Sequence, residues 1–316
     1  MSEKLNMKGR NMSVRHILIT GATGFIGNHL VRELVRQKVS VSVLIRDARK
    51  LQKLLPDEYP YLSVYCAEES VQGLAEFMQQ EQVDTVIHLA TRYITKSCAD
   101  DIEDLIDSNI TFGARILEAM KLTGVRNFIN FGTSWQHFQD EAYNPVNVYA
   151  ATKQAFEDML HYYAQAEEIH AVTLEIYDTY GERDGRSKII NKWKEIGSTG
   201  ESLKLSPGEQ KLDYVYVGDV VKGIIAAMKM LEAIPGEEKV YEKKYALSSD
   251  EIYSLKEIVA IFEEVYQVRI NIEWGGIAYR DREIMLPYRG LERLPGWSAS
   301  YGLKEGFARM RRLEET

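Results

Sequence analysis

The sequence predicts an α/β fold, in which a doubly wound parallel sheet carries a smaller, discontinuous C-terminal lobe. Two observations support this prediction. Apolar runs typical of strands alternate with segments of helical period through the first half of the 316-residue chain. The alternation ends after Tyr177, where a stretch rich in charge, glycine and serine begins. Strands that alternate with helices form parallel βαβ units with right-handed crossovers.

Each predicted element has its own local pattern. Apolar or β-branched runs predict strands at residues 16–20, 39–45, 85–89, 128–131 and 171–176. Apolar residues at helical spacing predict helices over residues 28–37, 71–82, 105–121, 147–166 and 187–196. A further strand and helix follow within residues 215–231, and the elements after residue 235 are short and mixed.

Composition excludes several classes of protein. Hydrophobic residues make up 45% and charged residues 27%, which is typical of a globular chain, and the net charge of −8 disfavours nucleic-acid binding. Two cysteines are too few for a disulfide framework, and no histidine lies at metal-ligand spacing from another histidine or a cysteine. There is no apolar run long enough to span a membrane and no signal peptide. We therefore predict a cytoplasmic protein that binds no metal, membrane or nucleic acid.

A glycine-rich turn follows the first strand and opens the first helix, with Gly21, Gly24 and Gly27 at dinucleotide-binding spacing. Gly21 permits the tight turn, Gly24 lets backbone approach a pyrophosphate, and Gly27 lets the helix pack against the strand. The helix N-terminus offers free N–H groups to the phosphates. A plain βα turn with incidental glycines is the alternative. The predicted cofactor-binding residues of this turn are Gly21, Thr23, Gly24, Phe25, Ile26 and Gly27.

The end of the second strand bears on which dinucleotide binds. An NAD site usually places an acidic residue there, but Ile45 lies near that position and Arg46 follows it. A guanidinium binds a 2′-phosphate, so we predict NADP, with Arg46 as its ligand. If the register differs by two residues, Asp47 binds the ribose and NAD is the cofactor.

These observations divide the chain into three parts. Residues 1–13 form a flexible N-terminal extension. Residues 14–178 with 213–234 form a dinucleotide-binding core of Rossmann type. Residues 179–212 with 235–316 form a substrate-binding lobe.

A second pattern places Tyr149 and Lys153 four residues apart on one helix face. A nearby ammonium lowers the pKa of a phenol toward the range useful for proton transfer. This spacing is weak evidence alone, but the strand upstream ends at Thr133, whose hydroxyl faces the crevice where ligands bind such sheets. Thr133 is placed to hydrogen-bond a substrate carbonyl beside Tyr149, or simply to cap the next turn.

Together these motifs resemble the extended short-chain dehydrogenases/reductases, in the NAD-dependent epimerase/dehydratase group that acts on nucleotide sugars. The likeness includes the segment Asp-Thr-Val-Ile-His-Leu-Ala at 84–90, the segment at 213–219 and the ending at 294–306. The resemblance implies that Asn109 supports the active site and that the protein is a homodimer. It also implies further cofactor contacts at Leu89, Ala90, Thr91, Tyr149, Lys153 and Tyr177.

Departures from the family pattern narrow the predicted reaction. Thr133 is followed by Ser134 and Trp135 rather than the Asp-Glu pair of the family's 4,6-dehydratases, which argues against dehydration. The region is most similar to enzymes that reduce 4-keto-6-deoxy sugars on nucleotide carriers. Most members carry asparagine at the position of Asp178 and arginine at that of Leu212. The predicted substrate-binding residues are Trp135, Gln136, Asp178, Lys211 and Arg280.

We predict NADPH-dependent reduction of a keto group, at C4, on a nucleotide-linked deoxysugar for bacterial surface glycans. Tyr149 gives the proton, Lys153 lowers its pKa and holds the nicotinamide ribose, Thr133 polarises the carbonyl and Asn109 supports a relay. An NAD-dependent nucleotide-sugar epimerase is the first alternative. A non-catalytic dinucleotide sensor is the second.

Overall fold

The computed structural model describes residues 16–54, 61–66, 70–249 and 251–315. The predicted extension at 1–13 lies outside the described residues. The strands are β1 (His16–Thr20), β2 (Ser40–Ile45), β3 (Leu62–Cys66), β4 (Thr85–His88), β5 (Asn127–Thr133), β6 (His170–Ile176), β7 (Asp178–Tyr180), β8 (Ser202–Leu205), β9 (Lys211–Leu212), β10 (Tyr214–Tyr216), β11 (Glu242–Leu247), β12 (Tyr253–Ser254) and β13 (Asn271–Trp274). The helices are α1 (Phe25–Arg36), α2 (Ala48–Leu54), α3 (Val71–Gln80), α4 (Ile102–Ile106), α5 (Phe112–Thr123), α6 (Val148–Ala166), α7 (Ile189–Thr199), α8 (Val217–Glu232), α9 (Leu255–Tyr266) and α10 (Leu303–Glu314).

The central sheet of the described residues has seven strands in the order β11-β6-β5-β4-β1-β2-β3. Every neighbouring pair in it is parallel. The chain runs from β1 outward to β3, then returns to β4 on the other side of β1. Ligands bind parallel sheets at such a reversal, outside the carboxyl ends of the strands. The predicted doubly wound α/β fold is confirmed.

Two apolar layers cover the sheet, one on each face. Ile17 and Ile19 of β1 pack with residues of α1 and α8, whereas Leu18 between them packs with residues of α3, α5 and α6. Because successive side chains of a strand point to opposite faces, one apolar strand supplies both layers. This explains why these strands are nearly continuous apolar runs.

A third apolar cluster forms the second lobe. Trp193 of α7, Phe262 of α9 and Phe307 of α10 are fully buried in it. Three small two-stranded sheets, β10 with β7, β12 with β9 and β13 with β8, complete the described part of this lobe.

The helix predicted at 105–121 is interrupted. The structure has α4, then one π-helical turn over Asp107–Thr111, then α5, which ends at Gly124 in the left-handed conformation (φ 74°). The wide turn contains Asn109, whose side chain is buried. A single π-turn leaves the segments on both sides of it helical, so the apolar residues over 105–121 predicted one continuous helix.

The predicted lobe boundary misses one strand. Residues 235–316 are predicted to lie in the substrate lobe, yet β11 is the outer strand of the central sheet and pairs with β6. The β11 sequence, Glu-Lys-Lys-Tyr-Ala-Leu, has charged residues in its first half because an outer strand is only partly covered.

Candidate active site

The glycine turn, residues 21–27, is packed too tightly for side chains at two of its glycines. Gly21 has a φ of 70°, and a β-carbon there would lie 2.6 Å from the backbone nitrogen of Ala90. A β-carbon on Gly27 would overlap the carbonyl oxygen of Gly21. The turn therefore brings the start of α1 directly against β1 and the end of β4.

The N-terminus of α1 is open to an anion. Gly24 is its N-cap, makes no side-chain cap, and no acidic residue lies in the first turn. Among the described residues other than its two chain neighbours, only the Gly21 carbonyl oxygen lies within 4 Å of where a Gly24 β-carbon would be. Free N–H groups with helix-dipole charge are the donor set that a pyrophosphate requires, so the turn fits a dinucleotide.

The other residues of the glycine turn have separate contacts. Thr23 is half-buried in the turn. The guanidinium of Arg186 lies over the Phe25 ring, 4.3 Å from the ring centre. Ile26 packs against the core. The side chains of Phe25 and Ile26 are therefore both engaged within the protein, and their backbone N–H groups lie at the start of α1.

His88 fixes the neighbouring end of β4. Its Nδ1 lies 2.9 Å from the Thr20 hydroxyl, which accepts a hydrogen bond from the Ala90 N–H. Burial lowers the pKa of His88 to about 3, so the ring is neutral at physiological pH. His88 is a positioning residue that places Leu89 and Ala90 beside the glycine turn.

Asn109 joins three segments around the cleft. Its amide oxygen accepts hydrogen bonds from the Thr91 hydroxyl and the Arg92 N–H, at 3.0 and 2.7 Å. Its amide nitrogen donates to the Arg92 carbonyl and to the Thr152 hydroxyl, at 3.1 and 2.9 Å. Thr152 lies on α6 between Tyr149 and Lys153, so Asn109 holds the β4 loop to the helix that carries both.

Tyr149 and Lys153 are buried on α6, with 9% and 3% of their surfaces exposed. Burial raises the pKa of Tyr149, which a hydrogen bond with Thr91 opposes. Burial also lowers the pKa of Lys153 to about 8. Burial dominates, so the net pKa of Tyr149 lies above its ordinary value, and the lowering expected from Lys153 stays a prediction. Tyr149 therefore keeps its proton at neutral pH.

Thr133 ends β5 and caps the turn that follows. Its hydroxyl accepts from the Trp135 N–H at 3.4 Å, a long hydrogen bond, and its own N–H donates to the Gln136 side chain at 2.9 Å. The capping role is therefore present. Such a weak bond leaves the hydroxyl able to engage a ligand.

One aromatic ring lies against Tyr149 and a second lies against the first, and we call the two the aromatic wall: Tyr93 and Trp135. The Tyr93 ring lies edge-on to the Tyr149 ring, with the ring centres 5.1 Å apart. The centre of the Trp135 ring lies 5.5 Å from that of Tyr93. Trp135 was predicted in the substrate pocket, but Tyr93 was not. Tyr93 lies in an irregular loop after β4, and only a positional comparison with relatives could have indicated it.

Two cations border the aromatic wall, and we call Arg280 and Lys188 the cationic rim. The Arg280 guanidinium lies 5.0 Å from the Trp135 ring centre, and the Lys188 ammonium 4.9 Å from that of Tyr93. Lys188 also pairs with Asp178 at 3.8 Å, whereas Arg280 pairs with Glu283 at 2.7 Å. Arg280, Asp178 and Trp135 thus lie in one cluster, and Lys188, which no sequence pattern indicated, lies in it too.

Three predicted ligand-binding residues have other roles. Gln136 is 0% exposed, and its amide is used by Thr133, Gln154 and Glu157, so the prediction that it binds substrate is wrong. Lys211 pairs with Glu257 on α9 at 3.2 Å, at the small β9–β12 sheet.

Tyr177 is the third of these residues. It is buried, and its hydroxyl donates to the Tyr288 carbonyl at 2.6 Å, under the guanidinium of Arg289. The side chain therefore ties the core to the second lobe, which leaves at most a ring edge for the predicted nicotinamide contact.

Arg46 lies directly after β2, at the same sheet edge as the glycine turn. It is exposed and has no ion-pair partner among the described residues. Asp47, the alternative ribose ligand, instead accepts from the Arg49 N–H at 2.9 Å and pairs with its guanidinium. Arg46 is the more available of the two.

The described residues hold neither a candidate metal cluster nor a membrane-spanning helix. Over residues 16–54, 61–66, 70–249 and 251–315, no three His, Cys, Asp or Glu side chains are grouped to hold a metal ion. Within the same part of the chain, each helix is too short or too polar to cross a membrane.

Several known proteins are similar to this chain in sequence or in fold. The chain is 30% identical to the CDP-abequose synthase of Yersinia pseudotuberculosis, over 86% of this chain and 91% of that protein. It is 26% identical to the dTDP-4-dehydro-6-deoxyglucose reductase of Escherichia coli, over 78% of this chain and 80% of that protein. The UDP-glucuronic acid 4-epimerase of Bacillus cereus, solved with UDP-glucuronic acid and NAD, shares the fold with a TM-score of 0.79 at 20% identity, over 94% of this chain and 99% of that chain.

The sequence model of the NAD dependent epimerase/dehydratase family matches residues 17–242, which is most of the chain. The resemblance inferred from the motifs is thereby confirmed, as is the expectation of an NAD(P)-dependent enzyme of oxidoreductase type. This chain belongs to the NAD-dependent epimerase/dehydratase family.

Proposed function

We propose that this protein reduces a keto group, at C4, of a nucleotide-linked deoxysugar with NADPH. The observation that carries the proposal is Tyr149, buried on α6 with Lys153 one turn further along that helix. A reduction consumes a proton at the carbonyl oxygen, and a phenol is protonated at neutral pH and can donate that proton.

The side chains divide the work of the reaction. Bound NADPH supplies the hydride for the carbonyl carbon. Thr133 orients the carbonyl oxygen, and Tyr149 donates its phenolic proton to that oxygen as negative charge develops there. Lys153 returns a proton to Tyr149 and, as the family resemblance implies, holds the nicotinamide ribose. Asn109 keeps the β4 loop and α6 in register.

Residues of the core would hold the dinucleotide. The glycine turn and the N-terminus of α1 suit its pyrophosphate, and Leu89, Ala90 and Thr91 line the neighbouring end of β4. Arg46 would bind the 2′-phosphate, which supports NADPH over NADH.

The substrate side supports a nucleotide-linked deoxysugar. Relatives named for CDP-abequose synthesis and for reduction of a dTDP-4-dehydro-6-deoxy sugar cover most of the chain. The aromatic wall gives an apolar surface beside Tyr149, which suits a methyl group in place of a hydroxymethyl group. The cationic rim suits a diphosphate. The homodimer stays a prediction from the family resemblance.

The test is an assay of NADPH consumption by the purified enzyme with CDP- and dTDP-linked 4-keto-6-deoxyhexoses. We expect one NADPH oxidised per sugar reduced. An enzyme that binds NADPH but oxidises none with any of these sugars contradicts the proposal.

Epimerisation is the second candidate, because oxidation followed by re-reduction uses the same tyrosine and lysine. An epimerase interconverts two nucleotide sugars with no net consumption of cofactor. Product analysis of UDP-, CDP- and dTDP-sugars incubated with NAD alone therefore distinguishes it. A dinucleotide sensor would bind the cofactor and turn over neither set.

A further inference from the structure

A chain of partly to fully buried charges begins one helical turn beyond Lys153 on α6. Glu157 follows Lys153 by one turn of α6. Its carboxylate lies 2.8 Å from the ammonium of Lys244 on β11, which lies 3.5 Å from the carboxylate of Glu175 on β6. Charges from one helix and two strands thus meet beneath the active-site helix.

The chain of charges ends at a buried histidine. His137 Nε2 lies 2.7 Å from the same Glu175 oxygen that faces Lys244. The imidazole stacks on the Tyr288 ring, with centres 4.1 Å apart. Glu175 is 0% exposed, and its other carboxylate oxygen has no hydrogen-bond partner among the described residues. An under-satisfied buried carboxylate is costly, so stability alone gives no reason to keep it.

Glu157 also contacts the turn that carries Thr133. One Glu157 oxygen lies 3.2 Å from the Gln136 amide nitrogen, and the Gln136 amide oxygen accepts from the Thr133 N–H. The same carboxylate therefore connects Lys244, the Lys153 helix and the Thr133 turn.

Glu157 and Lys244 act on Lys153 in opposite directions. Burial is the largest influence on its pKa, the carboxylate of Glu157 raises that pKa, and the ammonium of Lys244 lowers it. Other charged or titratable groups lie on the elements packed around this network. They are His88 of β4, Tyr149 of α6, His137 of the turn after β5, Glu175 of β6 and Tyr177 after β6.

We propose that Lys244 is a positioning residue for catalysis, which holds the carboxylates of Glu157 and Glu175 in place beside the helix that carries Lys153. The inference rests on the proposed role of Lys153 for its catalytic meaning, but its physical claim concerns Lys153 itself. A lysine that returns protons to Tyr149 must exchange them readily, and an unopposed carboxylate one turn away would hold its proton too tightly.

The experiment measures the titration of Lys153 in the folded protein by NMR of ε-13C-labelled lysine, with the signal assigned by its loss in Lys153→Met. We expect Lys153 to titrate near pH 8 in the unaltered protein. Lys244→Met should raise the midpoint by about one pH unit, and Glu157→Gln should lower it by about one pH unit. Lys244→Arg should restore it, and Lys243→Met, the exposed neighbour on β11, should leave it unchanged.

Two outcomes overturn the inference: a Lys153 midpoint that does not move in Lys244→Met, or one that moves the same way in Lys244→Met and Glu157→Gln. If Lys244→Met does not fold, as a thermal melt would show, Glu157→Gln decides by the direction of its shift. The readout needs no substrate. Failure of the proposed reaction in the NADPH assay is therefore distinguishable from failure of this inference.

Discussion

The proposed pyrophosphate site lies in one strand–turn–helix unit, whereas the proposed substrate pocket takes its side chains from four distant segments. The glycine turn spans residues 21–27, and its shape is set by backbone contacts. The aromatic wall and cationic rim come from residues 93, 135, 188 and 280. Local backbone geometry leaves a signature in sequence, but a pocket assembled by tertiary packing does not. The proposed pyrophosphate site was accordingly easier to predict.

Tyr149 joins the two sides, so its loss should have the largest effect on turnover. We expect Tyr149→Phe to lower kcat by about 100- to 10,000-fold, because general acid catalysis contributes that much. Cofactor affinity should change by less than about twofold, since a hydroxyl that serves only as proton donor adds no binding energy. Steady-state kinetics and cofactor titration check this. Tyr162→Phe, exposed on the same helix, is the control and should behave as the unaltered enzyme.

The glycine turn should tolerate no added methyl group at Gly27, where a β-carbon overlaps the carbonyl of Gly21. We expect Gly27→Ala to destabilise the fold by about 1–3 kcal/mol, as overpacking does, and to weaken cofactor binding by up to about 100-fold. Denaturant unfolding and fluorescence titration measure these effects. Gly236→Ala is the control, because nothing lies within 4 Å of its added carbon. Equal behaviour of the two variants would show that the turn is not tightly packed.

Arg46 should separate the two cofactors. We expect Arg46→Ala to weaken NADPH binding by about tenfold, since a charge-assisted hydrogen bond at an exposed site is lost. The affinity for NADH should change by less than about twofold, because NADH has no 2′-phosphate for Arg46 to bind. Arg36→Ala, another exposed arginine, is the control. An equal loss of affinity for both cofactors would mean that Arg46 does not bind the 2′-phosphate. It would favour the alternative in which NAD is the cofactor.

The cationic rim should affect substrate affinity more than turnover. We expect Arg280→Ala to raise the KM for the nucleotide sugar by about fivefold with kcat nearly unchanged, because Arg280 already pairs with Glu283 and gives only part of its charge to a ligand. Arg269→Ala, at an exposed site in the second lobe, is the control. A fall in kcat with constant KM would place Arg280 at the reacting carbonyl instead.

The sequence predicted the sheet and the active-site pair because both depend on local patterns. Apolar runs placed the strands, and the i, i+4 spacing placed Tyr149 and Lys153 on one face of α6. The same reasoning did not anticipate that burial raises the pKa of Tyr149. Burial depends on everything packed around the ring, which a spacing rule does not include.

Gln136 and Glu175 show the same limit. Gln136 follows Trp135 and resembles a pocket residue in sequence, yet its side chain turns inward to hold Thr133 and Glu157. Glu175 lies in an apolar strand, and only the pairing of β11 with β6 brings Lys244 to it. The sequence prediction had placed the segment that carries Lys244 in the other lobe.

The most direct test of the account follows one hydrogen atom across the cleft. NADPH deuterated on its transferable position is mixed with a nucleotide-linked 4-keto-6-deoxyhexose, and the product sugar is examined by mass spectrometry and NMR. We expect one deuterium on the new carbinol carbon for each NADPH oxidised. Sugars that interconvert while the label stays on the cofactor would contradict the proposed reduction and establish the protein as an epimerase.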